Sequence, residues 1–220
     1  MAYVQQVDGN MVNHVIFVLD ISGSMENIAK VSKNNFNEQI AKLRAESYDQ
    51  ETYVTLVMFD HNTEIVYKNK PIAEVPMLDV YPVQGMTALY DALGVTLANL
   101  EKEVPALMDP ESEHAALVVV ITDGEENSST EFTHKQLKAT MGRLEETDNW
   151  TFTFMGANID VAIEAGGKLG YSVSNTMSFA ATVSGAACAS AQTVSGINKF
   201  YVARRSGDKS IKDFYENDKD

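Results

Sequence analysis

An α/β fold, doubly wound around a mainly parallel six-stranded sheet with one antiparallel edge strand and helices on both faces, is predicted by three observations. Two runs, Val15 to Leu19 and Ala115 to Ile121, are apolar throughout, the pattern of strands buried on both faces. Between the strand-like runs lie stretches whose apolar residues recur at helical spacings. One adjacent pair of extended stretches is joined by the turn Asp60-His61-Asn62, which reads as a hairpin at a sheet edge. Strands that alternate with helices imply parallel pairing under two helical layers.

Taken in order, residues up to about Asn13 are a polar lead-in, and the first strand runs to Asp20. Ile28, Ala29, Phe36, Ile40 and Leu43 then mark one face of a helix from about Glu26 to Glu46. Thr52 to Phe59 and Thr63 to Tyr67 form the hairpin, and Lys68 to Gln84, with three prolines, is a loop. Gly85 to Leu100 is apolar nearly all round, which predicts a buried helix with Thr87 at its start. The fourth strand, Ala115 to Ile121, ends in Thr122-Asp123-Gly124. Thr133 and Gln136 resemble a capping box for a helix to about Glu146. Trp150 to Met155 is a fifth strand, Asp160 to Leu169 a short helix stopped by Gly170, and Tyr171 to Phe179 holds a weaker sixth strand. Ala181 to Arg204 closes the domain, taken as residues 1–205; residues 206–220 turn charged and read as a free tail.

The 220 residues suffice for one domain with a sizeable core. A formal net charge of −14 argues against nucleic acid and anionic membrane as partners and suits the attraction of cations. Cys188 is the one cysteine, so no internal disulfide can form, which favours a reducing compartment. The N-terminus has neither the basic nor the apolar part of a secretory signal. A cytoplasmic location is therefore expected.

Chemistry concentrates in three places. Asp20-x-Ser22-x-Ser24 delivers a carboxylate and two hydroxyls from a buried strand into a turn. Asp123 ends the fourth strand, and Thr87 stands on a loop entering a buried helix. In a doubly wound sheet, ligands bind outside the C-terminal strand ends where strand order reverses. With strand order 3-2-1-4-5-6 that reversal lies between the first and fourth strands, so Asp20 and Asp123 face each other. Two carboxylates and three hydroxyls, with no thiol or imidazole, suit a hard dication: Mg²⁺, or Mn²⁺ or Ca²⁺. Taken singly, each segment also reads as an ordinary turn or cap.

These motifs, with Gly85-x-Thr87-Ala-Leu between them, resemble the metal-ion-dependent adhesion site of von Willebrand factor A domains. The resemblance covers about residues 12 to 160; the later part is similar to small stand-alone bacterial and phage members. It implies that Ser22, Ser24 and Thr87 touch the metal directly, while Asp20 and Asp123 act directly or through water. It also implies a protein-binding module rather than an enzyme, with an Asp or Glu of a protein partner completing the shell. That partner is an ATPase subunit, another protein or a second copy of the chain. The absence of accessory domains sets cell adhesion aside.

Two other readings stand beside it. A bound Mg²⁺ is also a Lewis acid, which would suit hydrolysis of phosphate esters. Against it, Gly166 to Gly170 lacks the spacing of a phosphate-cradling loop, and no Gly-x-Ser-x-Gly elbow surrounds Ser22 or Ser24. A structural subunit of a particle would differ only in the partner. His14, His61, His114 and His134 share no ligand spacing and read as solvated surface. Glu125 and Glu126 read as a solvated acidic loop, or as residues that repel wrong partners or hold a second cation; Asn158 reads as a rim residue and Asp160 as a rim residue or a helix cap; Met25, Met86 and Tyr90 read as an apolar rim, with core packing the other reading of the two methionines.

Overall fold

The structure, a computed structural model, describes residues 11–158, 160 and 162–216. The lead-in up to residue 10 and the end of the tail, 217–220, lie outside the described residues. Six strands form one sheet: β1 Val12–Asp20, β2 Glu51–Phe59, β3 Thr63–Pro71, β4 His114–Thr122, β5 Trp150–Ala157 and β6 Thr176–Phe179. Their order is β3-β2-β1-β4-β5-β6, and only β2–β3 is antiparallel. This is the predicted topology. The register pairs Asp20 with Phe59 on one side and Leu19 with Ile121 on the other, so Thr122 lies beside Asp20 at the strand ends.

Strand periodicity sorts the core into two layers. Ile16, Val18, Val118 and Val120 point to one face, where they meet helices α2 (Leu89–Glu103) and α3 (His134–Glu145). Val15, Phe17, Leu19, Leu117 and Val119 point to the other, beneath α1 (Ala29–Glu46) and α4 (Val183–Arg205). Both faces of β1 are thus buried along its whole length, which explains why its sequence does not alternate. α1 contributes Phe36, Ile40 and Leu43, four and three residues apart. α2 is buried nearly all round and lets α3's approach lie close: a Cβ on Gly94 would sit 2.3 Å from the Phe132 ring.

Several boundaries differ from expectation for local reasons. Gly23–Ile28 is a 3₁₀ turn rather than the start of α1, because Met25 N–H bonds Ser22 O and Gly23 N–H bonds Gly85 O. α2 begins at Leu89, four residues late. Residues 85–88 are held outside it by Gly85 at φ +72° and by Ala88 N–H bonded to Asp60 O. The helix after β5, Ala162–Leu169, has wide π-type turns. β6 is only four residues long.

The tail is corrected most. Residues 206–216 do not hang free. Phe214 is buried, its N–H bonds Asn175 Oδ1 at 2.9 Å, and its ring lies over Gly196 of α4. Ile211 N–H bonds Thr151 Oγ1 at 3.0 Å. Phe214, with Ile211 and Tyr215 packed beside it, docks this otherwise charged stretch.

Candidate metal centre

β1 and β4 carry their terminal carboxylates to one point because they are parallel neighbours whose connections leave in opposite directions. Asp20 is fully buried. Its Oδ1 accepts the Ser22 N–H at 2.7 Å, and its Oδ2 accepts the Thr122 hydroxyl at 2.5 Å. Tyr81 donates its phenol to the Asp20 carbonyl at 2.6 Å and so ties the strand end to the proline-rich loop. The turn after Asp20 brings the Ser22 and Ser24 hydroxyls within 3.1 Å of each other. Ser24 then donates to Asp123 Oδ1 at 2.6 Å.

Thr87 enters from the third segment. It is buried, and its N–H bonds Asn127 Oδ1 while the Asn127 N–H bonds the Thr87 carbonyl, both at 3.0 Å. That reciprocal pair clamps the Thr87 loop onto the loop after β4. A Cβ added at Gly124 would lie 3.0 Å from Thr87 Oγ1 and 3.5 Å from Ser24 Oγ. Glycine therefore keeps open the space toward which both hydroxyls converge. The structure brings together all five residues named from the sequence.

Their electrostatics suit a cation. Burial pushes the Asp20 carboxyl up from 3.8 to about 6; bonds from Thr122 and Ser22 oppose the shift, and the Asp123 charge adds to it. Burial also raises Asp123, against the bond from Ser24. Two carboxylates and three hydroxyls are the oxygen-only donor type that a hard divalent ion prefers. Among the described residues, no three His, Cys, Asp or Glu side chains cluster to hold a metal. When bound, such an ion would supply a positive charge open to an external carboxylate.

Other expected residues fall differently. Met25 is fully buried and belongs to the core, and Tyr90 is buried too; of the expected apolar rim only Met86 is exposed, at 56%. Glu126 is not a solvated loop residue. Its carboxylate accepts the N–H groups of Ser128, Ser129 and Tyr90 at 2.7–3.0 Å and so caps the first turn of α2. Glu125 is exposed. Asn158, at φ +55°, accepts the Ala181 N–H, and Asp160 Oδ1 accepts the Ile163 N–H as a cap. Sequence reasoning missed Thr122, Asn127 and Asp60. The last is buried below Gly85, with Oδ2 3.4 Å from His61 Nδ1. A strand-terminal hydroxyl beside a paired strand's carboxylate could have signalled Thr122.

No protein-family model matches the chain, and no curated protein matches it in sequence. Solved structures do match in shape. Proximal thread matrix protein 1 from the mussel byssus, in a form with a zinc-occupied MIDAS motif, is 17% identical with a TM-score of 0.59. The match covers 87% of this chain and 46% of that one. The ArnB paralog VWA2 from Sulfolobus acidocaldarius is 14% identical with a TM-score of 0.53, covering 86% and 45%. The PilB minor pilin from Streptococcus sanguinis is 13% identical with a TM-score of 0.57, covering 89% and 62%. The chain thus spans about half the length of the first two. What the likeness shows is the fold, a von Willebrand factor A type α/β domain with its first and fourth strands side by side at the centre.

Proposed function

We propose that this chain is a non-enzymatic, divalent-cation-dependent protein-binding module. Ser22, Ser24 and Thr87 hold a Mg²⁺-type ion, with Mn²⁺ or Ca²⁺ as substitutes, and Asp20 and Asp123 hold it directly or through water. A partner's Asp or Glu completes the coordination. The single observation that carries this reading is the convergence of Thr87 Oγ1 and Ser24 Oγ on the space above Gly124, with Asp123 bonded to Ser24. The zinc-occupied MIDAS motif in the mussel protein of similar shape supports it.

Two carboxylates balance a dication, and neutral hydroxyls leave the ion attraction for one more anionic oxygen. That favours capture of an acidic side chain. The polar atoms around the site are occupied with one another, as in the Ser24–Asp123 and Thr122–Asp20 bonds, which suits positioning more than proton transfer. The partner is a protein, such as an ATPase subunit or a second copy of this chain, and the proposed setting is the cytoplasm. Among the described residues no helix is long and apolar enough to cross a membrane.

The test begins with calorimetric titration of Mg²⁺ and Mn²⁺ into the metal-free chain and into Asp123→Ala. One equivalent bound by wild type and lost in the variant is expected. Capture from source lysate in Mg²⁺, elution with EDTA and Asp123→Ala as blank then identify the partner. Proteins that bind equally without metal, or equally to the blank, would remove the site from recognition.

A further inference from the structure

The opposite end of the sheet holds a second cluster of chemistry-bearing side chains. The β1–β4 pairing sets Val12 beside His114 and His14 beside Ala116, so the two imidazoles lie on adjacent strands at the N-terminal edge. His14 Nε2 is 3.1 Å from His114 Nδ1. His14 Nδ1 is 3.2 Å from Asn69 Oδ1, an acceptor that keeps the proton on Nδ1 and leaves the Nε2 lone pair facing His114. The Tyr53 ring stacks on His14 at 5.7 Å and fixes its plane. Asn69 holds its position at φ +43°, a conformation asparagine tolerates better than most residues, with its N–H bonded to Thr55 Oγ1. An open groove of about 650 Å³ gives access, and Glu51, Glu103 and Glu113 line it. The sequence reading of these two histidines as solvated surface is corrected: His14 is buried and bonded on both ring nitrogens.

We propose that this groove is a second divalent-metal site, for imidazole-seeking ions such as Zn²⁺, Ni²⁺ or Cu²⁺, with His14 Nε2 and His114 Nδ1 as its nitrogen ligands. Two nitrogens each 2.0–2.1 Å from a tetrahedral ion stand roughly 3.3 Å apart, close to the separation here. A ligand histidine whose other nitrogen donates to a carbonyl is the usual arrangement for a metal site. As the pair stands, His114 Nδ1–H donates to His14 Nε2, so entry of the ion requires that proton to move to His114 Nε2 and the partly exposed His114 ring, now 17° from parallel with His14, to turn. Burial keeps both imidazoles less basic than usual, His14 at about 4, so both are neutral and available at neutral pH. Among the described residues no third His, Cys, Asp or Glu completes the set, so water fills the remaining positions and the groove's carboxylates act only at longer range. The site differs in donor type from the oxygen-only centre, and six residues of β1, about 20 Å, separate the two.

The test titrates Zn²⁺ and Ni²⁺ calorimetrically into the untagged full chain, into Asp123→Ala, and into that variant carrying His114→Gln or His14→Gln. Histidine ring ¹⁵N shifts are followed in parallel. One equivalent should persist in Asp123→Ala, weaken at least ~10-fold with either glutamine, and shift the His14 and His114 rings alone. Binding lost in Asp123→Ala, unaltered by His114→Gln, or absent from the start would overturn the proposal. His114 is half-exposed, so its variant decides the matter even if the buried His14→Gln chain fails to fold.

Discussion

The Thr122 hydroxyl donates a 2.5 Å hydrogen bond to Asp20 Oδ2 and joins the last side chains of two strands 102 residues apart in sequence. It also accepts the Gly124 N–H at 3.2 Å, so the same oxygen shapes the turn that carries Asp123. Thr122 thus aims both carboxylates of the candidate centre without reaching the space between them. Thr122→Val keeps the β-branched shape and removes the bond. Partners of this kind tune metal affinity by roughly 10–100-fold. Mg²⁺ titration should show a loss of that size in Thr122→Val and near-complete recovery in Thr122→Ser. Equal affinity in all three chains would deny Thr122 this role.

Asp20 works against the metal-free fold. Its folded carboxyl sits at about 6, above its ordinary 3.8. Between these values the folded chain keeps a proton that the unfolded chain releases. The contribution is therefore fully present below about pH 4 and lost as pH rises through 6, a loss of about 3 kcal/mol. His14 runs the other way: its folded value near 4 lies below 6.5, so stability falls as acid protonates the unfolded chain first. Comparing Asp20→Asn with wild type isolates the Asp20 part. Without metal, the variant's melting temperature should match wild type near pH 4 and exceed it at pH 7.5. In excess Mg²⁺ wild type alone should gain. A variant less stable than metal-free wild type at pH 7.5 would refute the argument.

Gly124→Ala tests the open space directly. The new Cβ would press on Thr87 Oγ1 at 3.0 Å and come into ordinary contact with Ser24 Oγ at 3.5 Å. The backbone there is not left-handed, so the fold should hold, with a melting point within a few degrees of wild type, while Mg²⁺ binding falls at least ~10-fold. Unchanged binding would place the ion elsewhere.

The docked tail makes a separate prediction. Phe214→Ala should cost about 3–5 kcal/mol in chemical denaturation, the usual range for emptying a buried aromatic site. Gly196→Ala places a Cβ 2.3 Å from the Phe214 ring and should expel the segment from outside. Limited proteolysis should then cut within residues 206–216 in both variants and spare wild type. Equal resistance in all three would show that the Phe214 contact does not hold the segment.

The strands, and the meeting of the five candidate residues at their ends, were legible in the sequence because each rests on a local signal. A strand buried on both faces reads as an unbroken apolar run, and a carboxylate or hydroxyl at its end reads as a change of environment. What escaped depends on partners far along the chain. Met25 looked like a rim residue because nothing nearby shows that the 3₁₀ turn points it inward. Glu126 looked solvated because the N–H groups it satisfies include that of Tyr90, 36 residues earlier. His14 and His114 share no spacing because they meet across two strands rather than along one. Phe214 lay in a charged stretch, and only Gly196 explains its pocket.

The central place of β1 has a consequence for synthesis. During synthesis β1 acquires β2 on one edge first, because β2 is the next strand in sequence. Its other edge waits for β4, whose last residue follows Asp20 by 102 positions. Until then β1, a strand buried along its whole length in the fold, offers an unpaired row of backbone groups, the kind of edge that recruits the wrong neighbour.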